Sequence, residues 1–237
     1  MQKNKIVFLI RAYNEATRIL EVIEGIIGAG FDQILVIDDG STDHTDKLLS
    51  PLLQSQSIHY VRHVTNRGAG AALETGFAYI RSFHELNHWK YVVTFDADGQ
   101  HDIKDMDHFM DLFKKDESLD IIFGSRFITK TNSNVPFFRR IILWGGRIFT
   151  SLISGVHLTD AHNGYRMFRV NILDKVHITM DGMEYASEFI DQIGIYKYHF
   201  AEVPVNIHYD DYTMTKGQRH GGPLRIAGRM LYKKFFS

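Results

Sequence analysis

Short apolar runs alternating with helix-patterned segments constrain the fold of this chain more than any other feature. Lys5–Ile10, Gln33–Ile37, Ile58–His63, Tyr91–Phe95 and Asp120–Phe123 read as strands. The first, second and fourth are apolar almost throughout, as strands buried on both faces must be. Helical periodicity fills the gaps around Glu15–Ile27, Asp43–Gln54, Gly70–Phe83 and Ile103–Lys115. Ser41, Thr42 or Asp43 can cap the second of these helices, and Asp102 the fourth. This alternation predicts an α/β fold with a mostly parallel sheet and helices on both faces. Ligands of such sheets bind beyond the carboxyl ends of the strands, so the residues just after each strand carry the functional information.

Beyond about residue 124 the pattern changes. Residues 129–136 form a polar loop, and Phe137–Ser154 reads as an amphipathic helix. Its apolar face carries Phe138, Ile141, Ile142, Ile148, Phe149, Leu152 and Ile153, with Arg139, Arg140 and Arg147 largely opposite. Gly164–Val170 and Phe200–Val205 are two further strands, with a helix near Met183–Tyr196 between them. A second basic amphipathic helix starts after Pro223.

Composition matters here through charge. The chain of 237 residues has a net charge of −1, yet that value is a cancellation. Ile121–Thr159 holds five basic residues and no acid, and Tyr212–Ser237 holds six and no acid, so these stretches carry +11 against −12 elsewhere. Basic amphipathic helices with aromatic residues suit an anionic membrane surface. Without a basic total, the same clusters do not make a nucleic-acid-binding protein. No run of about 18 apolar residues is present for a transmembrane helix, and the apolar stretch at the amino end is too short for a signal peptide. The absence of Cys excludes disulfides and Cys-ligated metals, in keeping with a reducing cytoplasm.

The strand ends carry the chemistry. The first is followed by Arg11-Ala12-Tyr13-Asn14-Glu15, the second ends in Asp38-Asp39-Gly40-Ser41, and the third leads to Asn66-Arg67-Gly68. After the fourth comes Asp96-Ala97-Asp98-Gly99-Gln100, and after the fifth Gly124-Ser125-Arg126. Hard divalent cations such as Mg²⁺ or Mn²⁺ take oxygen ligands, commonly one or two carboxylates together with substrate phosphates. Asp96 and Asp98 offer such a pair, with Gln100 as a third oxygen. A departing diphosphate needs a cation to neutralise it. A carboxylate such as Asp39 is placed to accept a base N–H or ribose hydroxyls, and Arg67 ahead of a helix can meet phosphate. Each of these residues also fits an ordinary turn or cap.

Taken in order, AYNE, VIDDGSTD, NRGAGAALETGF, FDADGQH, GSRF, TDAHNGYRMFR and EVPV resemble the family 2 glycosyltransferases of the GT-A fold, closest to the dolichol- or polyprenyl-phosphate sugar synthases. The resemblance covers Ile6 to about Lys216. It implies one GT-A (Rossmann-like) domain over residues 1–237: a nucleotide-sugar-binding half at 1–124, an acceptor-binding half at 125–222 and a basic tail helix at 223–237. It implies inverting transfer of a sugar from a nucleotide-diphosphate sugar (UDP- or GDP-linked) to a polyprenyl-phosphate or membrane-associated glycan acceptor. In that analogy Tyr13, Glu15 and Asp39 hold the nucleoside, and Asp96, the Ala97 carbonyl, Asp98 and Gln100 surround Mg²⁺ or Mn²⁺. Arg126 meets phosphate, while Asp160 and Glu188 match acidic positions near the acceptor. Asp160 is the expected base if the acceptor is a hydroxyl. The late loop departs from the mannose-synthase pattern of an Arg followed by a Lys: only Lys216 matches it, with Arg219 a substitute for the missing Arg.

One departure is Arg11, where the family usually has Pro. The expected setting is the inner face of the membrane, with an integral membrane partner or a second copy of the chain as further partners. Two other functions compete. One is a non-catalytic nucleotide-sugar-binding scaffold of the same fold, which would have no need to keep Asp96, Asp98 and Gln100. The other is a zinc hydrolase built on His84-Glu85-Leu86-Asn87-His88, a match to H-E-x-x-H. That motif runs directly into the Trp89–Phe95 strand and lacks a third ligand after it, which disfavours it.

Overall fold

The computed structural model describes residues 1–54, 58–128, 145, 151 and 154–208. Seven strands form one sheet: β1 (Ile6–Ala12), β2 (Ile34–Asp38), β3 (His59–Arg62), β4 (Tyr91–Asp96), β5 (Ile121–Ser125), β6 (Arg166–Arg169) and β7 (Phe200–Pro204). Their order is β3-β2-β1-β4-β6-β5-β7. All neighbouring pairs are parallel except those made by β6, which runs antiparallel to both β4 and β5. The helices are α1 (Ile19–Gly28), α2 (Thr45–Gln54), α3 (Ala69–Phe83), α4 (Met106–Lys115) and α5 (Tyr185–Ile195). Each expected strand and helix within the described residues is present, with ends moved by a few residues.

The continuous apolarity of β1 has a simple cause. Ile6, Phe8, Ile10 and Ala12 enter a core shared with α1, α2 and α4, whereas Val7 and Leu9 enter a second core with α3 and α5. Both faces are therefore dry, and each fully buried Ile, Leu or Phe contributes roughly 1.5–3 kcal/mol. The same alternation places Arg11 on the α3/α5 face, beside its register partner Asp96 of β4. A polar pair thus continues an apolar row as the strands leave the core.

Local chemistry terminates the elements as expected. Asp43 accepts hydrogen bonds from the backbone N–H and hydroxyl of Thr45 at the start of α2. Asp102 accepts from Lys104 N–H at the short 3₁₀ turn (Ile103–Asp105) that leads into α4. Among the described residues, no helix is long and apolar enough to cross a membrane. Of the expected Phe137–Ser154 helix, Gly145, Ser151 and Ser154 are described, and all three are helical. The basic residues Lys130, Arg139, Arg140 and Arg147, the loop with Lys216 and Arg219, and the tail helix lie outside the described residues.

Candidate active site

The carboxyl ends of β1, β2 and β4 lie side by side in the sheet, and the loops after β1 and β2 are tied together by side chain to backbone bonds. Asn14, at φ 55°, accepts from the N–H groups of Thr42 and Asp43 through Oδ1 and donates its own N–H to Ser41 Oγ. Glu15 N–H donates to Thr45 Oγ1, and Ala16 N–H to Asp43. These bonds hold Tyr13 and Glu15 beside the Asp38–Thr42 turn. Tyr13 is 38% exposed and Glu15 is buried, so of the two Tyr13 is the side chain accessible at this edge.

Asp38 and Asp39 divide their work. Asp38 is fully buried and accepts from Ser41 N–H and the Tyr60 hydroxyl, which makes it a turn-former. Asp39 lies 2.7 Å from His63 Nδ1 and accepts from the N–H groups of Arg67 and Gly68. Its carboxylate joins the end of β2 to the loop before α3. Arg67 is solvent-exposed, 3.9 Å from Asp181.

Asp96 closes β4 on the α3/α5 face. Arg11 Nη2 donates to its Oδ1 at 2.5 Å, and His101 Nε2 lies 3.2 Å from its Oδ2. Burial favours the neutral acid, yet Arg11 and His101 outweigh it and hold the carboxyl well below the usual carboxylate range. Ala97 is buried, and Asp98 accepts from Gln100 N–H in a tight turn. That turn is fixed from the other side, because His208 N–H donates to the Gln100 carbonyl and His101 bridges to Ile207. Gly164 is required here: a Cβ on it would lie 2.6 Å from Asp96 Oδ2. Two carboxylates and an amide on one short turn fit a hard cation that completes its shell with phosphate oxygens.

Arg126 and Asp160 meet each other. Arg126 Nε donates to Asp160 Oδ2 at 2.6 Å and Nη2 to Oδ1 at 2.7 Å, with its backbone N–H adding a third bond at 3.2 Å. Both side chains are buried. Asp160 is itself placed by Glu202 of β7, which accepts from Asp160 N–H and from the N–H and hydroxyl of Thr159. Glu188 of α5 accepts from the N–H groups of Thr179 and Met180 and from the Thr179 hydroxyl. The loop it secures lies against the start of α3, where Gly70 N–H donates to the Asp181 carbonyl.

Some neighbours of the candidate site carry no local signal. Glu202 lies in the EVPV segment and His63 directly after β3, and neither position in the sequence points to its partner. Arg166 is buried over the rings of Phe123 and Phe189, and donates to the Asn163 and Ala161 carbonyls. Burial lowers its pKa, which marks a cation deep behind the site. No local signal identifies such pairings, since the partners lie far apart in sequence.

The H-E-x-x-H segment lies elsewhere. It follows α3 at the amino ends of the strands, where His84, Glu85 and His88 line an open polar cleft of about 700 Å³ with Asn4, Lys5, Asp32 and Gln33. α3 ends at Phe83 and His88 has φ 58°, so the two His do not lie one turn apart on a regular helix. Among the described residues, no three His, Asp or Glu side chains are grouped to hold a metal.

A mostly parallel sheet with one antiparallel strand, and acidic turns at the carboxyl ends, is the arrangement of the GT-A fold. Residues 8–177 match Glycosyl transferase family 2, and the chain belongs to that family. It is thus a glycosyltransferase. It is 29% identical to the UDP-N-acetylglucosamine–dolichyl-phosphate N-acetylglucosaminyltransferase of Methanococcus voltae, over 98% of this chain and 97% of that protein. It is 27% identical to the polyprenol monophosphomannose synthase of Mycolicibacterium smegmatis, over 92% and 82% respectively. In structure it resembles glucosyl-3-phosphoglycerate synthase from Mycobacterium tuberculosis in complex with Mn²⁺, UDP and phosphoglyceric acid. That likeness has a TM-score of 0.67 at 13% identity, and covers 98% of this chain and 79% of that one.

Proposed function

We propose that this chain transfers a sugar, with inversion, from a nucleotide-diphosphate sugar to a polyprenyl phosphate at a membrane surface. The supporting observation for the acceptor is the Arg126–Asp160 pair. Asp160 is 2% exposed and held from both oxygens by Arg126, so an incoming sugar hydroxyl has no open approach to this carboxylate. A lipid phosphate arrives already ionised and needs no such base. The polyprenyl-linked activities of the Methanococcus and Mycolicibacterium relatives support the same reading.

On the donor side, Tyr13, Glu15 and Asp39 border the nucleoside, and Arg67 reaches toward phosphate. Asp96, Asp98, Gln100 and the Ala97 carbonyl would hold Mg²⁺ or Mn²⁺. When bound, that ion supplies charge neutralisation for the departing diphosphate. Arg126 orients the acceptor side through Asp160, and Glu188 holds the loop that meets the start of α3. Lys216 and Arg219 add positive charge around the phosphates in this reading. UDP is the preferred first test, since one relative and the structural neighbour both carry it in their names.

The test is a thermal-shift panel of UDP-, GDP- and dTDP-sugars with Mn²⁺. A donor at 100 times its Kd adds about 2.7 kcal/mol. Asp98→Asn should keep the melting profile of the free protein and lose at least a hundredfold in transfer rate. Full activity in that variant, or no shift with any donor, would sink the reading.

A further inference from the structure

We propose that Arg11 is a built-in cation that weakens divalent-metal binding to the free protein, so that the metal is captured together with the donor diphosphate. This rests on the metal-dependent reading above and deepens it.

The geometry behind it is local and specific. Arg11 and Asp96 are register partners on adjacent parallel strands, so their side chains leave the sheet on one face. The Arg11 side chain is 12% exposed, its guanidinium 4.7 Å from the centre of the Tyr185 ring and 2.5 Å from Asp96 Oδ1. Tyr185 belongs to α5, which packs over this face, so the guanidinium is clamped between a ring and a carboxylate. His101 Nε2 sits 3.2 Å from the other oxygen. Each Asp96 oxygen therefore already has a partner, and the pair of charges is neutral before any metal arrives.

A carboxylate oxygen keeps a second lone pair, so Asp96 is not closed to a further ligand. A divalent ion sharing it, however, would stand within a few ångströms of a fixed guanidinium. At such range, in a partly desolvated site, repulsion is worth at least tenfold in affinity. A diphosphate brings its own negative charge next to the same ion and offsets that repulsion. Metal and nucleotide should therefore bind with strong mutual coupling, and by linkage each raises the affinity of the other by the same factor.

Free Mn²⁺ measured by electron paramagnetic resonance, with and without UDP or GDP, decides the matter. Wild type should bind Mn²⁺ at least tenfold more tightly with the preferred nucleotide than without it. Arg11→Gln removes the charge while keeping a donor to Asp96, and should bind Mn²⁺ alone at least tenfold more tightly than wild type. Arg11→Lys keeps the charge and should stay within about twofold of wild type. A merely structural role would not separate Gln from Lys in this way. Equal Mn²⁺ affinity in wild type and Arg11→Gln, with both folded by circular dichroism, overturns the proposal and leaves the function intact. If Arg11→Gln does not fold, wild type still decides, because tight Mn²⁺ binding without nucleotide overturns the proposal. No Mn²⁺ binding in wild type with either nucleotide overturns this proposal and the metal-dependent reading together.

Discussion

Arg126 and Asp160 form a buried pair of opposite charges whose partners are 34 residues apart in the chain. Removing one member of such a pair strands the other in a low-dielectric site, at a cost of about 3–5 kcal/mol. Asp160→Ala should therefore lower stability by that amount in urea melts, and Arg126→Met added to it should recover part of the loss. A double variant no more stable than Asp160→Ala would show that the pair does not act as a unit. Asp96 carries a separate, pH-dependent effect. Its pKa in the folded chain lies below the usual carboxylate range, because Arg11 and His101 overcome the opposing effect of burial. The stabilisation is fully present above the ordinary carboxylate pKa and is lost only as pH falls through the depressed value. The stability gap between wild type and Asp96→Asn should accordingly hold from pH 7 to about 4 and close below that. A gap already closing at pH 6 would contradict the pairing.

The elements owe their positions to close approaches as much as to apolar area. α3 begins where its first turn meets the Met180–Asp181 backbone, and a Cβ on Gly70 would overlap the Met180 carbonyl. Gly70→Ala should cost about 1–3 kcal/mol and reduce transfer more than tenfold, because the displaced loop is the one Glu188 secures. Gly25 is the contrasting case. It is exposed in α1 with open space around it, and Gly25→Ala should stabilise by about 0.5–1 kcal/mol. Melting temperatures and initial rates of the two variants separate these effects. The strands and helices themselves were readable because their signal is local: period two or unbroken apolarity for strands, period 3.6 and caps for helices. Boundaries moved where a side chain beyond the pattern intervened, as with Arg11, a polar residue that β1 includes.

For the whole molecule, charge is divided between a site-bearing acidic sheet edge and two basic stretches, 121–159 and 212–237. In the proposed function Arg139, Arg140 and Arg147 of the first stretch and the basic residues of the tail rest on anionic lipid, whereas Arg126 stays buried against Asp160. Changing Arg225, Arg229, Lys233 and Lys234 to Gln removes four charges, each worth about 1 kcal/mol near such a surface. Cosedimentation with vesicles rich in anionic lipid should fall at least tenfold in that variant and should weaken with added salt. Unchanged sedimentation would remove the membrane from the proposal.

Periodicity, strand-end carboxylates and the Asp-x-Asp turn follow from neighbouring residues alone, so the α/β class, the mostly parallel sheet and the edge that carries the candidate site were readable from the chain. Partners across the fold were not. That Asp160 is held by Arg126 and placed by Glu202, that Asp39 binds His63, and that Arg11 neutralises Asp96 from 85 residues away are consequences of strand order. The decisive step is the insertion of antiparallel β6 between β4 and β5, which brings the Asp160–Gly164 turn against Asp96. Local patterns set the direction and buried faces of each element; only closure of the sheet selects which charged ends become neighbours, and those neighbours decide which carboxylates remain free for chemistry.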